Sequence, residues 1–302
     1  MSSRPPVAVR VRVPAKVNLQ LSVGPLGDDG FHDLVTVFHA VDLVDEIVAR
    51  PADALALTVS GEGADTLPTD ERNLAWRAAR LLADTAGLDP QVHLDVRKAI
   101  PVAGGLAGGS ADAAATLIAC ARMWDLDVVV ADLVPLAARL GSDVAFLLLG
   151  GTALGTGRGE VLAPVPCSAT LHWVLAVADV GISTADAYRE LDRLRAAPHA
   201  PGPAAAPDAL LAALESGEVE RIASHLRNDL QAAALSLMPQ LADTLAAGNA
   251  ALAGLVSGSG PTCAFLCRDA ADATVLAAEL EAAGVCRTAR VATGPAHSSA
   301  VG

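Results

Sequence analysis

Aromatic residues and lysine are both scarce in this sequence. Phe, Trp and Tyr together make up 3% of the 302 residues, whereas hydrophobic residues of all kinds make up 52%. Leu, Val and Ala must therefore fill the core of a chain long enough for one large domain or two closely packed ones. Lysine occurs only as Lys16 and Lys98. A lysine retained in so Arg-rich a chain indicates a position that needs a compact ammonium group. The alternative is that the two lysines are there by chance.

Long apolar runs are also missing. No run approaches the roughly 20 residues that span a bilayer, and the longest candidate, residues 144–149, fits a buried strand or helix segment. The N-terminus, Met-Ser-Ser-Arg-Pro-Pro, lacks the apolar segment of a signal peptide. These absences predict a protein with no membrane partner and a cytoplasmic location.

The cysteines show no metal-binding or disulfide pattern. They number five, with no CxxC or Cys/His zinc spacing among them: Cys120, Cys167, Cys263, Cys267 and Cys286. Since free cysteine behaves as a small hydrophobic residue, buried and reduced thiols are favoured over a metal site or a disulfide.

Positive charge is in the minority as well. The formal net charge is −13, which argues against a nucleic-acid partner because neutralising a phosphate backbone requires a basic face. A phosphorylated small substrate stays possible where positive groups are local.

Strand and helix patterns are interspersed along the chain. Strands are predicted at residues 7–13, 17–23, 35–41, 45–49, 55–59, 92–96, 173–177, 254–256, 264–267 and 286–292, with Pro14 ending the first. Helices are predicted at residues 73–82, 111–123, 133–140, 210–214, 218–226, 237–247 and 271–283, with another carrying Tyr188. Residues 196–207 are Pro-rich and predict a loop, and residues 294–302 predict a frayed tail. Without a strict βαβ rhythm, this order predicts an α+β fold in two halves that meet near residue 160.

A glycine-rich stretch joins a predicted strand to a predicted helix. Its sequence is Pro101-Val-Ala-Gly-Gly-Leu-Ala-Gly-Gly-Ser110. Glycines let the backbone approach an anion, and the free amides of a helix N-terminus favour phosphate. Ser110 or Asp112 could cap the helix, or the Ser110 hydroxyl could face a phosphate or Mg²⁺. The stretch is neither a Walker A loop nor GxGxxG, so a tight structural turn is the alternative to binding ATP.

Three ordered segments carry a family resemblance. The glycine-rich stretch resembles the central phosphate motif of the GHMP kinases, Pro14-Ala-Lys-Val-Asn-Leu19 their N-terminal motif, and Val256-Ser-Gly-Ser-Gly-Pro-Thr262 their C-terminal motif. The resemblance implies a two-lobed GHMP kinase fold with the active site in the cleft between lobes. It also implies an ATP-binding domain at residues 1–160 and a C-terminal domain at residues 161–302.

Further segments narrow the resemblance to one branch of these kinases. They are Asp29-Gly-Phe-His-Asp33, Thr36-Val-Phe, Arg72-Asn-Leu, Leu140-Gly-Ser-Asp-Val144 and Arg227-Asn-Asp-Leu230. In that branch the alcohol substrate carries a cytidine diphosphate and lies on a route to isoprenoids. The resemblance thus implies a small-molecule cytidine-diphosphate substrate, with the protein a monomer or weak homodimer.

The resemblance also implies residue roles on the donor side. Asp143 matches the catalytic Asp, and Lys16 matches its partner Lys. Such a carboxylate can orient a hydroxyl and take its proton. ATP would be held on its adenine side by Asn73, Leu74 and Lys98, and at its phosphates by Pro101, Val102, Ala103, Gly104, Gly105, Leu106, Ala107, Gly108, Gly109, Ser110 and Ala111. Ser110 is the candidate ligand of Mg²⁺.

On the acceptor side, Asn18 and His32 match positions that read the edge of cytosine, and Phe31 matches one that stacks on its face. Phe31 stands where the family usually has Tyr, so a hydroxyl is missing. Tyr188 falls near a second aromatic position, with a core helix residue as the alternative. Gly258, Ser259 and Gly260 would support the substrate diphosphate or the phosphate loop. Ala145 is a further departure, because the family commonly has Pro there.

Two other functions compete with this interpretation. A homoserine or mevalonate kinase would share the three motifs, but its acceptor has no base for residues 29–32 and Asn18 to bind. A catalytically silent binding or regulatory protein would share the fold, but retention of Lys16, Asp143 and the full glycine loop argues against it. Release of ADP with each acceptor separates these functions.

Overall fold

The structure is a computed structural model that describes residues 8–197, 202–203 and 206–301. Its strands are β1 (Val9–Leu26), β2 (His32–Pro51), β3 (Ala56–Gly61), β4 (Val92–Lys98), β5 (Thr152–Thr156), β6 (Val161–Pro164), β7 (Leu171–Val177), β8 (Arg227–Asn228), β9 (Ala253–Val256), β10 (Cys263–Cys267), β11 (Thr288–Gly294) and β12 (Ser299–Val301). Its α-helices are α1 (Leu74–Ala86), α2 (Gly108–Met123), α3 (Val130–Leu140), α4 (Ser142–Leu149), α5 (Thr184–Arg195), α6 (Asp208–Ser216), α7 (Val219–Ser224), α8 (Gln231–Leu237), α9 (Leu241–Ala247) and α10 (Ala270–Ala282), with a 3₁₀ turn at Ala64–Thr66.

A long antiparallel hairpin of β1 and β2 forms the centre of the larger sheet. The predicted end of a strand at Pro14 is wrong, because β1 continues through it with a register shift between Pro14 and Ala15. Such a bulge tolerates a residue that has no N–H to donate. The predicted strands at 35–41 and 45–49 are likewise one strand, β2, and Val7 lies outside the described residues.

The larger sheet has the order β12-β1-β2-β4-β3, and β5, β6 and β8 join it from the side. Its inner face is covered by α2, whose small buried residues, including Ala113, Ala114 and Ala115, allow close packing. The smaller sheet has the order β11-β7-β10-β9 and packs against α10. The predicted α+β class is therefore confirmed.

The larger sheet draws strands from both sides of residue 160. Strand β6 follows that residue and pairs with β5, while β12 from the far C-terminus pairs with β1. The matching division into domains at 1–160 and 161–302 stays a prediction.

Several predicted elements of the second half change in the structure. The helix predicted at 237–247 is confirmed only for residues 241–247, α9, because residues 238–240 around Pro239 are not helical. Leu237 ends α8, a helix that the sequence patterns did not predict. The predicted frayed tail is wrong for residues 299–301, since β12 pairs with Arg10–Arg12 at the sheet edge. Much of the predicted loop at 196–207, residues 198–201 and 204–205, lies outside the described residues.

The structure also bears on the predictions drawn from absences. All five cysteines are free, and Cys120, Cys263 and Cys267 are buried, as predicted for reduced core thiols. Within the described ranges, no helix has both the length and the apolar character to cross a membrane.

Candidate active site

One cleft of about 680 Å³ is lined by residues of all three motifs, the N-terminal segment 14–19, the glycine-rich stretch 101–110 and the C-terminal segment 256–262. The predicted site residues that line it are Lys16, Asn18, Lys98, Pro101, Val102, Ala103, Gly104, Gly105, Ala107, Gly108, Gly109, Ser110, Asp143, Tyr188, Gly258, Ser259 and Gly260. The predicted site residues that do not line it are Phe31, His32, Asn73, Leu74, Leu106 and Ala111.

The start of α2 forms the floor of the cleft. The helix begins at Gly108, three residues earlier than predicted, and its N-cap Ala107 has a left-handed φ of 61°. No side chain caps it, so the predicted capping by Ser110 or Asp112 is wrong. The Gly108, Gly109 and Ser110 amides are the free donors of a first helical turn, and a Cβ at Gly109 would meet no atom within 4 Å. This turn is an open anion site.

Leu106 and Ala111, two residues predicted to contact phosphate, do not line the cleft. The backbone N–H of Ala111 already donates to the Ala107 carbonyl, and the Leu106 side chain is fully buried in the core. Both residues therefore shape the loop from behind.

The glycine loop packs directly on the C-terminal glycine turn. Gly105 has a φ of 74°, and a Cβ there would clash with the Ser257 carbonyl. The Thr262 N–H donates to the Gly104 carbonyl at 3.3 Å, and the Ser257 hydroxyl donates to the Gly105 carbonyl at 3.3 Å. Glycine at 105 is thus required by backbone-to-backbone contact.

Lys16 enters the cleft from β1 and is buried. Its Nζ donates to the Asn18 Oδ1 at 2.8 Å and to the Gly105 carbonyl at 3.0 Å, and it lies 3.9 Å from the Asp143 Oδ2. A Cβ on Gly258 would lie 3.0 Å from the same Nζ. Burial lowers the pKa of Lys16, and the Asp143 carboxylate opposes that effect.

Asp143 stands in the first turn of α4, a helix that the sequence patterns left undecided between strand and helix. Its side chain is 34% exposed toward the cleft. A carboxylate is stabilised at a helix N-terminus. The structure thus brings Lys16 and Asp143 together, 127 positions apart in the chain, while their catalytic roles stay predictions.

Asn18 lies beside Lys16 rather than at a separate base-binding edge. Its Nδ2 donates to the Thr36 hydroxyl at 2.8 Å, and that hydroxyl donates to the Gln20 carbonyl at 2.8 Å. Because its Oδ1 accepts from Lys16, the amide is held in one orientation. In this structure Asn18 therefore positions the Lys16 ammonium group.

Lys98 forms a buried ion-pair cluster that the sequence reasoning missed. Its Nζ donates to Asp45 and, at 2.7 Å, to Asp112, while the other Asp45 oxygen accepts from the backbone N–H groups of Ala99 and Ile100. Burial lowers the pKa of Lys98, but the two carboxylates outweigh it and hold the pKa above its ordinary value. Burial in turn raises the pKa of Asp112, whose Oδ1 has no hydrogen-bond partner.

The predicted adenine-side residues Asn73 and Leu74 stand at the start of α1. Asn73 is the N-cap: its Oδ1 accepts from the Ala75 N–H, and its Nδ2 donates to the Pro68 carbonyl. The side chain is therefore engaged in capping, and the nearby residue that lines the cleft is Leu67.

The predicted base-binding residues form two stacks at the other end. His32 stacks on Tyr188 at 5.3 Å between ring centroids, donates from Nδ1 to the Gly24 carbonyl at 2.9 Å, and has its Nε2 3.4 Å from Asp192. Burial raises the pKa of Tyr188 to about 12, with a smaller contribution from Asp143. The Tyr188 ring is thus part of the cleft wall as well as of a helix core.

The second stack joins Phe31 and Arg158. Phe31 is 52% exposed, and the Arg158 guanidinium carbon lies 3.7 Å from its ring centroid. Arg158, not Phe31, lines the cleft. The sequence signalled this residue only through its glycine neighbours, Gly155-Thr-Gly-Arg-Gly159.

The C-terminal glycine turn closes the opposite wall. Asn228 Nδ2 donates to the carbonyls of Val256 and Gly258, both at 2.7 Å, and the Ser259 hydroxyl lies 3.1 Å from that of Thr184. Among the described residues, no three His, Cys, Asp or Glu side chains converge as a metal-binding group.

Comparison with known proteins shows the family of this chain. Residues 73–151 match the model for the GHMP kinases N terminal domain, and residues 210–286 match the model for GHMP kinases C terminal. The chain is similar to 4-diphosphocytidyl-2-C-methyl-D-erythritol kinase of Mycolicibacterium smegmatis, with 59% identity over 97% of this chain and 92% of the relative. It is 58% identical to the protein of the same name from Mycobacterium tuberculosis, over 98% of this chain and 94% of the relative.

A solved structure gives the same result. It is a crystal structure of 4-(cytidine 5'-diphospho)-2C-methyl-D-erythritol kinase, with a TM-score of 0.77 and 33% identity, covering 94% of this chain and 98% of that one. The chain belongs to the GHMP kinases and, within them, to the 4-diphosphocytidyl-2-C-methyl-D-erythritol kinase family.

Proposed function

We propose that this chain transfers the γ-phosphoryl group of ATP to the 2-hydroxyl of 4-diphosphocytidyl-2-C-methyl-D-erythritol, a step of the non-mevalonate route to isoprenoid precursors. The observation that carries the proposal is the Lys16–Asp143 pair, 3.9 Å apart, in the same cleft as the uncapped first turn of α2. A base for a hydroxyl and an anion site for the donor thus face one another.

The donor phosphates fit the first turn of α2. Gly108, Gly109 and Ser110, whose amides are the free donors of this turn, line the cleft, and the helix dipole favours negative charge there. Phosphoryl transfer requires mainly positioning and stabilisation of charge, which fixed backbone donors supply without reorganising.

The acceptor hydroxyl is assigned to Asp143. The hydroxyl oxygen forms a bond to the γ-phosphorus, the bond from that phosphorus to the oxygen of ADP breaks, and the hydroxyl proton passes to the Asp143 carboxylate. The Lys16 ammonium group stabilises that carboxylate before the proton moves and lies close to the charge of the transferred group. Its own hydrogen bonds to Asn18 and Gly105 hold it there.

Mg²⁺ fits the oxygen donors near this turn. Ser110 lines the cleft, and Asp112, two residues further along α2, also lines it and has a buried oxygen with no hydrogen-bond partner. Mg²⁺ usually binds one or two protein oxygens plus substrate phosphates. When bound, the ion would neutralise charge on the β- and γ-phosphates, and Ser110 with Asp112 would hold it.

The cytidine end is assigned to the wall carrying Tyr188. Its ring lines the cleft, and His32 stacks behind it. Phe31 supplies a second aromatic face at the rim. We also expect a cytoplasmic enzyme, because its substrates are small phosphorylated metabolites, and we expect a monomer or weak homodimer.

The experiment is release of ADP by the purified chain with ATP, Mg²⁺ and each candidate acceptor. We expect ADP with 4-diphosphocytidyl-2-C-methyl-D-erythritol, and none above background with homoserine or mevalonate. Release with homoserine or mevalonate alone would replace this function by another GHMP kinase activity. Absence of release with every acceptor, in a protein that binds ATP, would favour the binding-protein alternative.

A further inference from the structure

Few positive charges face a cleft that must hold two polyphosphates. Among the described residues that line it, the cations are Lys16, Lys98 and Arg158. Lys98 is neutralised by two buried carboxylates, and Lys16 is engaged with Asp143. Arg158 is therefore the cation whose charge is available for a ligand.

The present partners of Arg158 hold it weakly. Its Nη2 lies 2.7 Å from the Asp29 Oδ2, but the two side chains are 48% and 57% exposed. Exposed ion pairs contribute little stability because water screens them. Its contact with Phe31 is also at the surface. The guanidinium can leave both partners at small cost.

The backbone of Arg158, in contrast, is firmly placed. Its N–H donates to the Glu160 carboxylate at 2.7 Å, and its carbonyl accepts from the Ser142 hydroxyl at 2.8 Å. Ser142 directly precedes Asp143 in α4, so the residue is tied to the acceptor end of the cleft. The flanking residues Gly157 and Gly159 have φ values of 71° and 99° and shape this short turn.

We propose that Arg158 binds the diphosphate of the acceptor substrate, between the cytidine end and the hydroxyl that is phosphorylated. This inference rests on the proposed function and adds a residue to it. Arg158 lies beside Phe31 on one side and is tied to the α4 N-terminus on the other, which is the interval that the diphosphate must span. A planar guanidinium can donate two parallel hydrogen bonds to phosphate oxygens, which an ammonium group does not match.

Asp29 and Phe31 have a second role in this proposal. They are the surface partners that the guanidinium leaves when the diphosphate arrives. A hydrogen bond from the Arg158 side chain lowers the pKa of Asp29 below its ordinary value.

The test compares Arg158→Gln with Arg50→Gln. Arg50 is a matched control, since it is 47% exposed, forms a 3.4 Å pair with Asp95 and does not line the cleft. For Arg158→Gln we expect the KM of the cytidyl acceptor to rise about 10- to 100-fold, the range of a lost charge-assisted hydrogen bond. The KM of ATP and the thermal midpoint should stay unchanged, and Arg50→Gln should resemble the wild type.

Competitive inhibition separates diphosphate binding from base stacking. We expect Arg158→Gln to weaken inhibition by CDP at least about tenfold, to weaken inhibition by cytidine less than about twofold, and Arg158→Lys to fall between the variant and the wild type. Equal losses for CDP and cytidine would overturn the proposal in favour of a stacking or structural role. An unchanged acceptor KM in an active Arg158→Gln enzyme would overturn this proposal and leave the proposed function standing. An inactive wild type would overturn both.

Discussion

The only two lysines of the chain make opposite use of burial. Both side chains are almost fully buried and both line the same cleft. Lys16 has one carboxylate 3.9 Å away and a pKa below its ordinary value. Lys98 has two carboxylates within hydrogen-bond reach and a pKa above its ordinary value.

The difference teaches that carboxylate contacts, not burial, decide in which direction the pKa of each lysine moves. Burial disfavours the charged form of both, but only Lys98 is compensated in full. Lys98 joins β4 to Asp112 in α2 and to Asp45 in β2, and thereby braces both ends of the phosphate loop. Lys16 keeps a destabilised charge close to Asp143, the carboxylate that we propose receives the hydroxyl proton.

The largest effect is expected at Asp143, the carboxylate that lies 3.9 Å from Lys16. Asp143→Asn should lower kcat by about 10²- to 10⁴-fold, because the amide cannot take the hydroxyl proton. The affinity for ATP should change little, since the phosphates bind at α2. Steady-state kinetics and a nucleotide titration measure both quantities.

A matched control for that variant is Asp186→Asn. Asp186 also stands in the first turn of a helix, α5, but its partner is the exposed Arg189. Its activity should equal that of the wild type. Wild-type turnover by Asp143→Asn would remove Asp143 from the role of base.

The next effect separates the two lysines by stability. Lys98→Met leaves Asp45 and Asp112 buried side by side without a counter-charge, and should lower the free energy of unfolding by about 3–5 kcal/mol. Lys16→Met removes a poorly compensated buried charge and leaves Asp143 partly exposed, so its stability should change by less than about 1 kcal/mol. Its activity should nevertheless fall. Denaturant unfolding with kinetics on both variants makes the comparison, and equal losses of stability would contradict it.

The two lysines also differ in how far the sequence predicts their partners. The Lys16–Asp143 pair was reached through motifs that a family resemblance connects over a long stretch of chain. Asp45 carries no such signal: it reads as part of a strand pattern and meets Lys98 53 positions later only because β2 pairs with β4. Buried ion pairs between strands depend on register, which local patterns do not specify.

The element boundaries show a related division. Periodicity located α1 and β4 well, because each buries one regular face. Alanine-rich composition without a helix breaker located α2, which is buried on nearly all sides. Periodicity broke β1 at Pro14, where the register shift is a property of the pair of strands and not of the proline alone. Arg158 was missed because a single Arg between glycines is also the pattern of an ordinary surface turn.

His39 is a third buried base, and burial alone accounts for the shift of its pKa. His39 donates or accepts one hydrogen bond with the Thr152 hydroxyl at 2.8 Å, and burial lowers its pKa to about 3. The unfolded chain therefore binds more protons between pH 6.5 and about 3, so stability is lost as pH falls through that range. His39→Gln removes this dependence.

The measurement is denaturant unfolding at pH 6.5 and pH 4.5. At about 1.4 kcal/mol per pH unit, the wild type should lose roughly 2–3 kcal/mol more than His39→Gln over this interval. Parallel losses in the two proteins would show that His39 is not the group responsible.

The most direct test of the contrast is titration of the two lysines themselves. Because the chain contains only Lys16 and Lys98, labelling lysine with ¹³C at Cε gives two NMR signals, and the Lys16→Arg variant assigns them. We predict that Lys16 loses its proton first, below the ordinary pKa of 10.5, while Lys98 stays protonated above it. Joint titration near 10.5, or loss of the Lys98 proton first, would contradict the account.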